Sequence, residues 1–194
     1  MSRSLCVMIL TLMLASCGGG FSSPPSNLDN ACAIVREKPK YVRAFKASER
    51  RWGVPVAVQM ATVYQESRFR SDARTPFRYT LGVIPMGRQS SAYGYSQALD
   101  STWDDYRKST GRRGAKRDNI RDSADFIGWY MSRSHYKVGI ELTDARNQYL
   151  AYHEGHSGFA RGSHNSKSWL LRVAGDVEAR AVLYQSQLAS CGRY

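Results

Sequence analysis

The chain has 194 residues and a formal net charge of +12. It has no internal repeat and one long apolar run, near its start, which excludes a repeat protein and any membrane span beyond that run. The charge indicates an anionic partner. The basic residues are scattered, and the one dense basic run, residues 112–117, is either a solvated loop or a contact for that partner. This run contains glycine and no aromatic residue, so a cell-wall polymer or an anionic membrane surface is favoured over nucleic acid.

Residues 1–16 are predicted to be a signal peptide, with Arg3 as the positive segment and residues 5–14 as an apolar run too short to span a bilayer. The sequence Leu14-Ala15-Ser16-Cys17 is similar to the lipobox of bacterial lipoproteins, in which the cysteine is acylated. An ordinary secretory signal with a chance cysteine is the alternative. Gly18 stands where an aspartate would retain an enterobacterial lipoprotein in the inner membrane. The resemblance implies an outer-membrane lipoprotein that faces the periplasm.

Residues 17–38 are predicted to be the acylated cysteine and a flexible tether rich in Gly, Ser and Pro. Residues 39–194 are predicted to form one domain, about 160 residues being enough for a substantial core. With Cys17 lipidated and Cys6 removed with the signal, Cys32 and Cys191 remain. In an oxidising compartment this pair predicts a disulfide worth ~4 kcal/mol; two free thiols are the alternative.

Apolar spacing and capping residues predict a mainly helical domain. The predicted helices cover residues 40–52, 55–69, 102–106, 123–136, 144–153 and 169–188. Strand patterns are scarce, and residues 77–84 would supply at most a short hairpin. The expected fold is therefore a single globular domain that is mainly α, with at most a small β-hairpin.

The helix predicted over residues 55–69 carries apolar residues at i, i+4 and i+7 and is expected to be central. Glu66 falls in its last turn. The negative end of the helix dipole and the apolar neighbours both disfavour ionisation there, so Glu66 is expected to stay protonated near neutral pH. The alternative is a solvated carboxylate, or one paired with Arg68 or Arg70.

Three separated stretches resemble one protein family when they are taken together. They are Gln65–Phe69 (QESRF), Tyr93–Gln97 (YGYSQ) and Ala151–Gly155 (AYHEG). In this order they resemble the soluble lytic transglycosylase domain, which cleaves the glycan strands of peptidoglycan. That family has Glu-Ser at a helix end, then Gly-Leu-Met-Gln, then Ala-Tyr-Asn-x-Gly. The resemblance spans most of the chain after residue 40 and implies a lysozyme-like α+β fold.

The resemblance implies a role for each matching residue. Glu66 would be the catalytic acid, and the hydroxyl of Tyr152 would bond and orient it. The residues implied to bind substrate are Ser67, Thr75, Gly94, Tyr95, Gln97 and His153.

This chain also departs from the family pattern. Tyr95 and Ser96 stand where the family has Leu and Met, and His153 stands where it has Asn. The segment 76–93 is longer than the family norm. We interpret it as an insertion that forms a flap over the groove, lined by Phe77, Tyr79 and Ile84.

The family's reaction needs one carboxyl that acts first as an acid and then as a base, and it yields a 1,6-anhydromuramic acid end. Two alternatives stay open: a lysozyme-like hydrolase, which needs a second carboxylate, and a non-catalytic peptidoglycan-binding lipoprotein. A zinc site at residues 153–156 with His164 is disfavoured, because the position four after His153 is Ser157. We expect a monomer that binds glycan strands, is attached to the membrane by its lipid, and needs no metal or cofactor.

Overall fold

The computed structural model describes residues 22–81 and 83–191. The predicted signal peptide, Cys17 and Gly18 lie outside these residues, so the lipid anchor stays a prediction. The described part contains seven α-helices, one 3-10 helix and one antiparallel hairpin. In chain order these are α1 (Ala31–Glu37), α2 (Pro39–Trp52), α3 (Val56–Ser67), β1 (Phe77–Thr80), β2 (Ile84–Arg88), α4 (Asp100–Thr110), α5 (Ile120–Val138), α6 (Ala145–Ala160), the 3-10 helix (Ser163–Ser166) and α7 (Ser168–Ser190).

The mainly α, lysozyme-like fold class is confirmed. Each predicted helix overlaps an observed one, and the one predicted hairpin is present. Helix α3 is central: it packs against α2, α5 and α7, and its residues from Val56 to Val63 are all buried. A helix that is buried on every side needs apolar or internally bonded side chains throughout. Its buried Gln59 accordingly donates to the carbonyls of Phe45 and Val54, at 3.2 and 2.8 Å. Among the described residues, no helix is both long and apolar enough to cross a membrane.

The connection between α2 and α3 fixes where α3 begins. Gly53 ends α2 in the left-handed conformation, with φ of 78°. Pro55 then holds the chain extended, one residue before the helix rather than inside it. The free amide of Val56 donates to the carboxylate of Glu49 at 3.1 Å, which satisfies one of the unpaired donors at the helix start.

The tether prediction needs a correction, because most of residues 17–38 that are described here belong to the folded domain. Helix α1 lies inside this range, and the side chain of Leu28 packs against the core. The amide of Ala31 donates to the side chain of Gln187 at 2.7 Å. The predicted disulfide between Cys32 and Cys191 is present, with the Cα atoms 5.7 Å apart. The composition of residues 17–38 is typical of a flexible segment. Contacts with residues of α7, far away in the sequence, and with Cys191 at its end, order the part that contains α1.

A buried carboxylate joins three helices beside the core. Asp125 on α5 is 5% exposed. It accepts hydrogen bonds from the indole of Trp52 at 3.1 Å and the hydroxyl of Tyr106 at 2.7 Å, and it forms ion pairs with Arg51 at 3.1 Å and Arg112 at 2.9 Å. Fully bonded, this carboxylate holds α2, α4 and α5 in one arrangement. These contacts link the three helices through one side chain.

Candidate active site

Glu66 lies one residue before the end of α3, where the chain turns sharply. Arg68 and Phe69 both adopt positive φ, 52° and 59°, which residues with a side chain rarely do. Phe69 is fully buried and stacks on Tyr41 with ring centroids 5.9 Å apart. This burial stabilises the turn, so the carboxyl of Glu66 is presented at a fixed corner of the fold. The Ser67 side chain is buried and donates to the carbonyl of Val63 at 3.1 Å.

The environment of Glu66 favours the neutral acid. Its side chain is half-buried, and removal of the carboxyl from water raises its pKa to about 7. A hydrogen bond from the hydroxyl of Tyr149 acts in the opposite direction and limits the rise. The two arginines considered as ion-pair partners are placed elsewhere: Arg68 lies over the ring of Tyr64 at 3.8 Å, and Arg70 pairs with Asp72 at 3.5 Å.

Helix α6 places two tyrosines beside Glu66. Tyr149 and Tyr152 are three residues apart and therefore share one face of the helix. The hydroxyl of Tyr152 donates to the carbonyl of Ser96 at 2.7 Å, whereas Tyr149 is the tyrosine whose hydroxyl interacts with the carboxyl of Glu66 and lowers its pKa. Burial and the nearby Glu66 raise the pKa of Tyr152 well above its ordinary value. Tyr149 is thus a site residue that the motifs missed, and its spacing from Tyr152 on one helical face was the available signal.

The second motif forms a tight loop under this site. Gly94 has φ of 74°, and a Cβ atom there would collide with the carbonyl of Arg117, so no other residue fits. The side-chain amide of Gln97 donates to the carbonyls of Ala73 and Gly94, both at 2.9 Å. Gln97 therefore holds the loop in place and keeps its amide oxygen as its remaining polar group.

Tyr95 needs a correction. It is 1% exposed, its ring meets that of Tyr41 edge-on at 5.8 Å, and the two hydroxyls are 3.0 Å apart. Such a residue has no surface to offer a sugar ring. Tyr95 supports the loop from inside the core rather than contacting substrate.

Thr75 closes the base of the inserted hairpin. Its hydroxyl donates to the carbonyl of Ser90 at 2.9 Å and accepts from the amide of Ser90 at 3.3 Å. The hydroxyl thus has partners within the protein before any substrate arrives. The side chains expected to line a flap, those of Phe77, Tyr79 and Ile84, are about half exposed in this structure.

The third motif ends at a break in α6. Gly155 has φ of 73° and ψ of 156°, which kinks the helix directly after His153 and Glu154. The amine of Lys167 bonds to both carboxylate oxygens of Glu154, at 2.7 and 2.9 Å, and this bond chiefly lowers the pKa of Glu154 to about 2. The ring of His153 is exposed, with Nδ1 3.0 Å from the Glu154 carboxylate, and it forms a T-shaped pair with the ring of Trp169, with centroids 5.2 Å apart.

The histidines near this kink have separate surroundings. His156 stacks on Tyr130 and His164 stacks on Phe159, at 4.5 and 4.9 Å. In residues 22–81 and 83–191, no three His, Cys, Asp or Glu side chains are grouped as metal ligands would be.

Comparison with known proteins agrees with the motifs. No curated protein matches the chain. Residues 5–191 match the model of a protein family described as the transglycosylase SLT domain, and this match includes Glu66 and all three motifs. Membership supports an enzyme that acts on peptidoglycan, and lytic transglycosylase activity in general terms. The chain therefore belongs to the transglycosylase SLT domain family.

Proposed function

We propose that this protein is a peptidoglycan lytic transglycosylase that cleaves the β-1,4 bond between N-acetylmuramic acid and N-acetylglucosamine and leaves a 1,6-anhydromuramic acid end. The observation that carries the proposal is Glu66, a carboxyl with a pKa of about 7 beside Tyr149 and Tyr152. A group with this pKa exists in both protonation states near neutral pH, as a group that both gives and takes a proton must.

The reaction uses Glu66 twice. Its proton passes to the glycosidic oxygen as the bond from that oxygen to the muramoyl C1 breaks, which releases the 4-hydroxyl of N-acetylglucosamine. The substrate's own acetamido group stabilises the cationic C1. The Glu66 carboxylate then takes the proton of the muramoyl C6 hydroxyl, and O6 bonds to C1. No water is consumed, and Glu66 ends protonated, ready for the next bond.

The surrounding side chains match these two roles. Burial of Glu66 favours its acid form before cleavage. The hydroxyl of Tyr149 stabilises the Glu66 carboxylate that cleavage leaves behind. Thr75, Gln97 and His153 are proposed to border the bound glycan, with Gln97 holding the loop and His153 exposed beside Trp169. Ser67 and Gly94 are buried, so we propose that they position Glu66 and the loop rather than touch the sugar.

A hydrolase is a weaker candidate, because a retaining or inverting glycosidase places a second carboxyl across the scissile bond. Glu154 is bound to Lys167, and Asp72 is paired with Arg70, so both carboxylates already have cationic partners.

For its location, we propose a lipid anchor at Cys17 and residence at the outer membrane, facing the periplasm. The disulfide between Cys32 and Cys191 supports an oxidising compartment. The residues that form the core or pack against it lie between Leu28 and Leu188 of one chain. Because a single chain supplies this core, we propose that the protein acts as a monomer.

The test is mass spectrometry of the soluble products after the chain from Gly18 digests purified peptidoglycan. Muropeptides that end in 1,6-anhydromuramic acid, one water lighter than hydrolytic products, are the expected result. Reducing ends would replace the proposal with a hydrolase. Pelleting with the sacculus without any release would replace it with a binding protein.

Changing Tyr149 to Phe is expected to lower the cleavage rate by on the order of tenfold, because one hydrogen bond to the reacting carboxyl is lost. Since that bond lowers the pKa of Glu66, its removal raises this pKa further. Activity that needs the protonated acid in the free enzyme should then persist to higher pH. The measurement is kcat/KM against pH for both proteins.

The matched control is Tyr136→Phe, on an 83% exposed tyrosine of α5. It should leave both the rate and the pH profile unchanged. A slower Tyr149→Phe protein with an unshifted profile would mean that Tyr149 acts only through packing.

A further inference from the structure

The point where the described chain begins lies close to the inserted hairpin. The carbonyl oxygen of Ser22 is 3.5 Å from the hydroxyl of Ser71. Ser71 precedes Thr75, at the base of the hairpin, by four residues, which span at most ~14 Å. The segment that leads back to Cys17 and the hairpin therefore leave the domain near one another.

A basic cavity opens at the same place. It has a volume of about 660 Å³ and is lined by Ser22, Ser71 and three cationic side chains, those of Lys40, Arg43 and Arg121. In the described part of the chain, none of these three cations forms an ion pair with a carboxylate. Asp118 also lines the cavity and accepts from the hydroxyl of Tyr93 at 3.2 Å. The cavity keeps a positive excess that suits an anionic group.

The hairpin, which begins at Phe77, six residues after Ser71, exposes a large amount of apolar surface. The exposed side chains are Phe77 (47%), Tyr79 (57%), Leu81 (85%), Val83 (75%), Ile84 (50%) and Met86 (65%). Residues 76–90 contain two arginines, Arg78 and Arg88, and no acidic residue. A cluster of exposed apolar residues on a soluble domain indicates a binding surface.

We propose that the cavity and the hairpin together, here called the Ser22 face, dock on an anionic lipid bilayer. The most exposed side chains, Leu81, Val83 and Met86, are aliphatic or thioether groups, which suit acyl chains better than sugar rings. Arg78 lies on the first strand, where its charge suits headgroup phosphates. Arg88 donates to the carbonyl of Thr75 at 2.7 Å and lies over the ring of Phe77 at 4.3 Å, so it adds positive charge at the base of the hairpin. The three cavity cations extend the positive surface.

The lengths agree with this arrangement. Ser22 is five positions after Cys17, a distance of at most ~18 Å, so an acyl group on Cys17 would keep the Ser22 face near the membrane. The longer hairpin strand has five residues and is therefore ~17 Å long, which is similar to that distance. The inference uses the proposed anchor only for this distance and is independent of the proposed glycan cleavage.

The experiment is flotation of the unlipidated chain from Gly18 with vesicles of phosphatidylethanolamine and phosphatidylglycerol at low ionic strength. The chain should bind these vesicles and bind phosphatidylcholine vesicles much more weakly. Combined Lys40→Gln, Arg43→Gln and Arg121→Gln should weaken binding by roughly a hundredfold, at about fivefold for each charge. Absence of binding by the unchanged chain would overturn the proposal.

The hairpin is tested separately with combined Leu81→Ser, Val83→Ser and Met86→Ser, which should weaken vesicle binding at least tenfold. These side chains are exposed, so the fold should persist, as circular dichroism would check. If this variant floats normally but no longer pellets with sacculi, the hairpin contacts glycan and the proposal fails.

Control variants remove equal charge, or exposed apolar side chains, elsewhere on the domain. Combined Lys108→Gln, Lys137→Gln and Arg172→Gln removes three exposed cations that do not line the cavity, and Val182→Ser with Leu183→Ser removes exposed apolar side chains from α7. Both controls should bind vesicles nearly as the parent does. A loss equal to that of the matching test variant would mean that net charge or general hydrophobicity, rather than the Ser22 face, causes binding.

Discussion

Changing Glu66 to Gln is expected to lower the rate of glycan cleavage by about a thousandfold or more while the fold is kept. The amide has nearly the shape of the protonated acid, but it can neither give a proton to the glycosidic oxygen nor take one from the C6 hydroxyl. General acid and base catalysis are each worth roughly 10²–10⁴ in rate, and both depend on this group. The measurement is the rate of anhydromuropeptide release, alongside binding of the variant to intact sacculi.

The control for this change is Glu141→Gln, on an exposed glutamate that forms no ion pair in residues 22–81 and 83–191. It should cleave at the parent rate. If Glu66→Gln keeps a tenth of the parent activity, another group supplies the proton and the proposed mechanism is wrong.

Glu66→Gln should also remove a pH dependence of stability. Because the pKa of Glu66 is about 7 in the folded protein and 4.5 as its ordinary value, the folded state holds this proton more tightly. The cost of ionising Glu66 is absent below pH 4.5 and complete above pH 7, so stability falls as pH rises through that window. At pH 8 the Gln variant should be more stable by at most ~3 kcal/mol. Urea unfolding at pH 5 and pH 8 compares the two proteins.

Removal of the disulfide is expected to lower the free energy of unfolding by ~4 kcal/mol. The bond joins residues separated by 159 positions, so it restricts a very long loop in the unfolded chain. It also holds α1 against the end of α7. Cys32→Ser should therefore lower Tm by roughly 10 °C, as thermal unfolding under oxidising conditions would measure.

Two comparisons isolate the bond itself. Reduction of the parent protein should produce the same loss of stability, and adding Cys191→Ser to Cys32→Ser should cause little further change, since both substitutions break one bond. A loss below ~1 kcal/mol would mean that the contacts of α1 with α7 hold the two ends together without it. Glycan cleavage at low temperature should persist, because neither cysteine belongs to the proposed site.

The elements of this fold follow largely from local patterns. The apolar spacing from Val56 to Val63 predicts a buried helix, and continuing that helix along the chain places Glu66 in its last turn. Counting cysteines predicts the pair that the structure joins. The helices depend on residues that are close together in the sequence, and the disulfide depends on the number of cysteines. Both can therefore be read from the sequence.

The tertiary structure decides which side chains meet. Tyr149 and Tyr152 lie on the same helical face, and the rotation of α6 against α3 selects Tyr149 as the partner of Glu66. Tyr95 is in a motif, yet contact with Tyr41 buries it, and partners on α7 order α1 within a polar segment. The sequence by itself determined the α-helices after residue 38, the position of Glu66 at a helix end and the disulfide pair. Hydrogen-bond partners and burial depend on residues far apart in the chain, so only the packed structure decided the partner of Glu66 and the exposed face of the hairpin.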